Sequence, residues 1–259
     1  METLDRDLYD FPVYYDCLFG SDWKAEFDFL LGAYERHVGG SPRRIFEPAC
    51  GTGRLLYRLA KAGYQVCGND LNEKAVDYCN RRFLKHGLEP AAEVGDMCDF
   101  RLPRKVDLAF NMINSFRHLP SEQAAEAHLN CVAQALRSRG LYLLGLHLTP
   151  SVGQADDEES WSSRRGHLAV NSRMWSMGVD RRKRQERVGM TMDVFTPTRT
   201  FRLAQEMNFR TYTWPQMRRL LERVGKFQIA ATYDFCYDLD EPIEVGAATQ
   251  DVVFVLQRL

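Results

Sequence analysis

Glu47-Pro48-Ala49-Cys50-Gly51-Thr52-Gly53 decides the reading of this chain. It follows a short strand, Arg44-Ile45-Phe46, and leads into a helix from Arg54 to Lys61 with Leu55, Leu56, Leu59 and Ala60 as its apolar residues. Gly51 and Gly53 let the backbone turn sharply and approach a ligand closely, where a Cβ would collide. Amides at the start of the following helix face the ligand's polar edge. A dinucleotide loop requires Gly-x-Gly-x-x-Gly, with glycine or alanine last so that the helix packs closely. Counting from Gly51 and Gly53, that last position is Leu56, which does not fit. Glu47 would also repel a pyrophosphate, whereas it suits a ligand carrying an ammonium group. Asp70 closes the next strand, where a carboxylate can accept both hydroxyls of an adenosine ribose.

Outward from this loop, strands and helices alternate. Tyr64 to Gly68 reads as a strand and Asn72 to His86 as an amphipathic helix. Ala91 to Val94 and Val106 to Phe110 are further strands, followed by a helix from Ser121 to Leu136 and the apolar run Leu141 to Leu146. Such alternation implies a parallel sheet covered on both faces. Before it stand an aromatic lead-in, Phe11 to Asp16, and a helix from about Asp22 to His37. After Thr149-Pro150 the pattern changes. Ser151 to Ser163 is acidic and polar, which predicts a loop. Three runs with period two follow, carrying Leu168, Val170 and Met174, then Val188, Met190, Met192 and Val194, then Phe201, Leu203, Met207 and Phe209. They predict an antiparallel meander joined at 178–184 and 196–198. Thr213-Trp214-Pro215 opens a helix to Val224, and 227–235 and 251–256 read as the last two strands.

These motifs resemble those of the class I S-adenosylmethionine-dependent methyltransferases, over about residues 10 to 259. Glu47 to Gly53 matches that family's first motif, with Ala49 in place of the usual first glycine. Asn69-Asp70-Leu71 matches the acidic second motif. Gly95-Asp96-Met97 matches the third, in which the acid and the next backbone amide bind the adenine. Phe110 to Ser115 matches the fourth, placing Asn111 and Ser115 beside the methionine part of the cofactor. The resemblance implies an α/β, Rossmann-like, seven-stranded and mostly parallel sheet in the order 3-2-1-4-5-7-6. Helices cover both faces, and an antiparallel β insertion is added. It implies S-adenosyl-L-methionine as cofactor, with S-adenosyl-L-homocysteine as product. Tyr14-Tyr15-Asp16 resembles the N-terminal segment of small-molecule members, where a tyrosine closes over the cofactor, and Tyr15 is taken as that residue. The expected divisions are a helical lid over 1–42, the cofactor domain over 43–149 and 213–259, and a substrate, lid or dimerisation insert over 150–212.

The expected reaction is in-line methyl transfer to N or O of a small molecule. His118 follows the fourth motif and His147 ends the fifth strand, both at the carboxyl edge of the sheet where ligands bind. They are the candidate bases, with Tyr212 and Arg202 behind them. Two alternatives stand beside this reading: an RNA-modifying methyltransferase, and a cofactor-binding module without turnover. A formal net charge of −1 argues against a general polyanion binder. Arg181-Arg182-Lys183-Arg184 with Arg187 is the charge run that favours RNA, yet it falls at a hairpin turn where solvated cations need no ligand. Seven cysteines without a CxxC pair or a Cys/His cluster argue against a metal and for a reducing, cytoplasmic compartment. No run of about 18 apolar residues predicts a membrane span, and the charged start leads into no secretory signal. The expected state is a monomer, or a homodimer formed through the β insertion.

Overall fold

The computed structural model describes residues 1–153 and 158–259. In chain order the elements are β1 (Glu2–Asp5), α1 (Pro12–Phe19), α2 (Lys24–His37), β2 (Arg44–Pro48), α3 (Arg54–Lys61), β3 (Gln65–Asp70), α4 (Glu73–Lys85), β4 (Ala92–Val94), β5 (Val106–Asn111), α5 (Glu122–Ala135), β6 (Leu136–His147), β7 (Glu158–Arg165), β8 (Leu168–Asp180), β9 (Gln185–Phe195), β10 (Thr200–Arg210), α6 (Trp214–Val224), β11 (Phe227–Tyr233) and β12 (Asp251–Arg258). A seven-stranded sheet runs β4-β3-β2-β5-β6-β12-β11. Its first four pairings are parallel, and β12 is antiparallel to both β6 and β11. Counted along the sheet's own strands, this is the expected 3-2-1-4-5-7-6.

Alternating side chains on the central strands divide the core into two layers. Phe46, Ala109, Tyr142, Leu144 and Phe254 join residues of α5 and α6 on one face. Ile45, Leu108, Leu141, Leu143 and Val255 join α2, α3 and α4 on the other. Burial of a tyrosine in the first layer is made tolerable by a closed polar pair. The Tyr142 hydroxyl lies 2.8 Å from His128 Nε2, and His128 Nδ1 lies 2.9 Å from the Met97 carbonyl. An unpaired hydroxyl or imidazole there would cost roughly 1–3 kcal/mol.

A second sheet, β1-β10-β9-β8-β7, is antiparallel except for the parallel pairing of β1 with β10. Val170, Met192, Leu203 and Phe209 form its inner face and pack on Leu8, Cys17 and Leu18. The sequence expectation differs from this sheet at several points. The stretch expected as a loop ends in strand β7, because Glu158–Arg165 hydrogen-bonds to β8 and alternates half-buried with exposed side chains. Part of that predicted loop, residues 154–157, lies outside the described residues. The aromatic lead-in is helix α1, started by Pro12 in its first turn and buried at Asp16, Cys17 and Leu18. Strand β8 continues to Asp180 past a bulge at Ser176/Gly178, so the turn shrinks to 181–184. Strand β6 begins at Leu136, directly from α5, and not after Gly140.

Candidate active site

Two sheet-to-helix crossings make the floor of a cleft of about 420 Å³ at the carboxyl edge of the seven-stranded sheet. After β2 the chain holds Ala49, Gly51 and Gly53 at φ +53°, +51° and +65°. Ala49 adopts a left-handed conformation that the missing glycine would have occupied without strain. Gly51 N–H donates to Asp70 Oδ2 at 2.7 Å, and Asn72 N–H donates to Asp70 Oδ1 at 2.8 Å. These bonds aim the carboxylate and leave it further acceptor capacity. Burial pushes the Asp70 carboxyl up, against the pull of those two amides. Gly53 itself stands behind the cleft wall. A Cβ there would meet Cys79 Sγ at 2.3 Å, so the glycine is required by the packing of α3 against α4.

Glu47 is buried at the end of β2, with Oε2 unpartnered; burial holds its carboxyl well above the usual range despite nearby Arg54. Asn111, at the end of β5, is also buried. Its Nδ2 donates to the Pro48 carbonyl at 2.9 Å while its Oδ1 lacks a partner. Both groups line the cleft. A cleft that presents orphaned, buried acceptor oxygens from Glu47 and Asn111 suits a cationic donor, because leaving such groups unpaired is costly. Arg54, also lining the cleft, is bound to Glu26.

Helix α1 forms the opposite wall through Pro12, Tyr15 and Phe19. Their spacing of three and four residues keeps them on one helical face. Tyr15 packs on Phe19 at 4.7 Å between ring centroids and on Tyr9 at 5.4 Å. The Tyr9 hydroxyl lies 3.0 Å from His118 Nε2. Burial pushes the Tyr15 hydroxyl up to about 12 and holds the Tyr9 hydroxyl well above its ordinary value. His118 presents its ring at the cleft edge, enclosed by Tyr9 and Phe209. Desolvation and the Arg117 guanidinium lower it to about 4, so it is neutral at physiological pH and able to accept a proton.

Of the residues expected at the site, Tyr15, Glu47, Ala49, Gly51, Asp70, Leu71, Met97, Asn111, Ser115 and His118 converge on this cleft. Others lie elsewhere. Asp96 is not among the lining residues and caps its own loop, accepting from Cys98 N–H at 2.8 Å. His147 opens on a separate, smaller cavity with Trp175 and Phe209, and its Nδ1 lies 2.6 Å from Asp251 Oδ1. Tyr14 stacks on Phe11 and meets Phe201, on the side of the antiparallel sheet. Tyr212 is fully buried between Arg184 and Arg210, and Arg202 forms a two-point pair with Asp193. Sequence reasoning missed Asp7, Tyr9, Phe19 and Arg54 as lining residues, and took Thr52 only as part of the glycine loop. For Tyr9 and Phe19 a signal existed in the density of aromatics before residue 20; Asp7 carried none.

Residues 45–140 match the family described as "Methyltransferase domain". The ribosomal RNA small subunit methyltransferase C of Alcanivorax borkumensis is 34% identical over 68 residues, 26% of this chain and 21% of that protein. The dTDP-3-amino-3,4,6-trideoxy-alpha-D-glucopyranose N,N-dimethyltransferase of Streptomyces venezuelae is 28% identical over 100 residues, 39% of this chain and 40% of that one. An S-adenosylmethionine-dependent methyltransferase structure from Clostridium acetobutylicum superposes with a TM-score of 0.77 at 18% identity, covering 95% of this chain and 97% of its own. Residues 45–140 are thus similar to the methyltransferase domain, and the chain shares the fold of the S-adenosylmethionine-dependent methyltransferase structure. It spans 21–57% of the length of the curated relatives it matches. Among the described residues no helix is long and apolar enough to cross a membrane, and no group of His, Cys, Asp and Glu is disposed to hold a metal.

Proposed function

We propose that this protein transfers the methyl group of S-adenosyl-L-methionine to a nitrogen or oxygen of a small molecule, releasing S-adenosyl-L-homocysteine. The orphaned oxygens of Glu47 and Asn111 in the cleft carry this reading, because they offer acceptors where the cofactor brings its ammonium group. Asp70, held by two amides, accepts the ribose hydroxyls. Leu71 and Met97 flank the adenine, with Asp96 beside them through the loop that Met97 shares. Gly51 and Ala49 admit the ligand close to the backbone; Gly53 sets the helix behind them. Tyr15 and Ser115 face the methionine part.

When bound, the cofactor supplies an activated methyl on sulfonium, so the protein's task is alignment and exclusion of water. The aromatic wall of Tyr9, Tyr15 and Phe19 excludes water. His118 is neutral, and the Tyr9 hydroxyl stands 3.0 Å from its Nε2, so the attacking acceptor's proton passes to the Tyr9 oxygen as Tyr9 gives its own proton to Nε2. His147, outside the lining of this cleft, is assigned in this reading as a structural partner of Asp251. The Streptomyces venezuelae relative, named for dimethylation of an amino sugar nitrogen, supports an amine acceptor on a small sugar-like molecule. The division into lid, cofactor domain and insert, pairing of two chains through the antiparallel sheet, and a cytoplasmic location belong to the same reading, the last supported by unpaired cysteines.

Calorimetry with S-adenosylmethionine and S-adenosylhomocysteine tests the cofactor. Absence of binding at millimolar ligand overturns the proposal. A labelled-methyl transfer screen over small amines and alcohols separates an enzyme from a binding module without turnover. RNA methylation is a second reading, favoured by exposed Arg181, Arg182 and Lys183 at a hairpin tip. Its mark is tRNA binding that weakens steeply with salt and is lost when those three cations are neutralised.

A further inference from the structure

Asp16 is a carboxylate that four elements share. It stands on α1, buried, within the wall that Pro12, Tyr15 and Phe19 present to the cleft. Its Oδ1 accepts from Thr52 Oγ1 in the glycine loop at 3.2 Å and pairs with Arg82 of α4. Its Oδ2 accepts from Tyr78 of α4 at 3.1 Å and from Arg165 Nη1 of β7 at 2.7 Å. Arg165 Nη2 also donates to the Asp16 carbonyl at 2.8 Å. Strand β7 grips α1 a second time where Trp161 meets Phe19 at 5.6 Å. Thr52 lies between Gly51 and Gly53, so its hydroxyl is the side-chain anchor of that glycine-flanked stretch, beside the bond from the Gly51 amide to Asp70. Arg165 is half exposed and lies outside the cleft lining.

We propose that Asp16 is a positioning residue that locks the wall helix α1 to the glycine loop, and that Arg165 of the antiparallel sheet governs cofactor affinity through it. The inference rests on the cofactor reading above. Two guanidiniums hold Asp16 ionised, and removing one weakens its grip on Thr52 without altering any atom of the cleft. The β insertion is thereby part of the cofactor site, although it supplies none of the residues that line it.

The test uses the full chain, calorimetry with S-adenosylhomocysteine, and the variants Arg165→Gln, Thr52→Val and the two combined. Arg165→Gln is expected to weaken binding about 3- to 10-fold, the range in which a remote contact changes a coupled site, and Arg165→Lys to recover part of it. In the Thr52→Val background the same change is expected to cost less than about 2-fold, because the path is already cut. Hydrogen exchange of the 50–54 amides in the ligand-free protein reads the lock without any cofactor, and faster exchange in Arg165→Gln is expected. Unchanged affinity together with unchanged exchange overturns the proposal, as do effects of the two substitutions that multiply independently. A wild-type protein that fails to bind S-adenosylhomocysteine, while Arg165→Gln still speeds exchange, removes the cofactor reading and leaves the lock standing.

Discussion

At the scale of single residues, Glu47 carries the sharpest consequence. Its carboxyl is held above the usual range by burial, and its raised value in the folded chain contributes stability at acid pH. That contribution is complete below the ordinary carboxylate range and is lost as pH rises through the elevated folded value. An incoming ammonium favours the ionised form, so cofactor binding is expected to release a proton and to strengthen as pH rises. Calorimetry in buffers of differing ionisation enthalpy measures that proton directly. Glu47→Gln is expected to abolish the release and to weaken binding by about 10- to 100-fold, the worth of a charge-assisted hydrogen bond of roughly 1.5–3 kcal/mol. His118 obeys the opposite arithmetic. Desolvation and the Arg117 charge leave it unprotonated down to about pH 4. As the base, it should sustain methyl transfer across neutral pH, with the acid limb of the rate profile near that value and not near 6.5. His118→Asn is expected to lower kcat by about 10²-fold while cofactor affinity holds; an unchanged kcat would assign the imidazole to packing alone.

At the scale of elements, the glycine loop separates two demands that a motif merges. Gly51 and Gly53 share a left-handed backbone, yet their surroundings differ. A methyl on Gly51 would have only Asp70 Oδ2 near it, at 3.9 Å, and that residue lines the cleft. A methyl on Gly53 would strike Cys79 across the α3–α4 interface. Gly51→Ala should therefore cost about 1–2 kcal/mol of backbone strain and reduce cofactor affinity. Gly53→Ala adds overpacking to the same strain, for a total of about 2–4 kcal/mol, and lowers the melting temperature further. Thermal denaturation and calorimetry on the two variants distinguish the roles. Equal losses of stability in both would refute the division.

For the whole molecule, the question is what joins the antiparallel sheet to the seven-stranded one. Arg117, directly before His118, pairs with Glu186 of β9, donates to the Arg210 carbonyl of β10 at 3.3 Å and lies over the Phe209 ring at 5.0 Å. Both charges are largely withdrawn from water. Removing one partner strands the other, at a cost of about 3 kcal/mol, whereas an apolar pair of similar volume is often neutral. Arg117→Met should lower stability by that amount in urea unfolding, and Arg117→Met with Glu186→Leu should restore most of it. The basic hairpin beside this junction is less free than its sequence implies. Arg184 pairs with Glu122, which also takes Arg210 and Arg223. Part of the charge that favoured an RNA partner is therefore spent inside the fold.

How much of this was legible beforehand follows from the range of each interaction. The glycine loop, Asp70 and the strand–helix alternation are local, since backbone sterics and periodicity within a few residues define them. They sufficed for a parallel sheet covered on both faces, while the sheet order and most of the ten expected cleft residues came from the resemblance of the motifs to a known family. Strand β7 escaped notice because its polar, acidic residues form a strand only through pairing with β8. Tyr9 met His118 across 109 positions, and Arg165 met Asp16 across 149; no local pattern encodes such encounters. His147 and His118 look alike as histidines at the carboxyl edge of the sheet, and the packing of Phe209 and β7 places them in different cavities. By itself, then, the sequence determined the loop, its acids and the class of ligand they suit, because those depend on short-range backbone geometry and charge. The tertiary structure alone decided which histidine lines the cleft and which distant arginine pairs with the buried carboxylate of its wall, because both depend on how two sheets close upon each other.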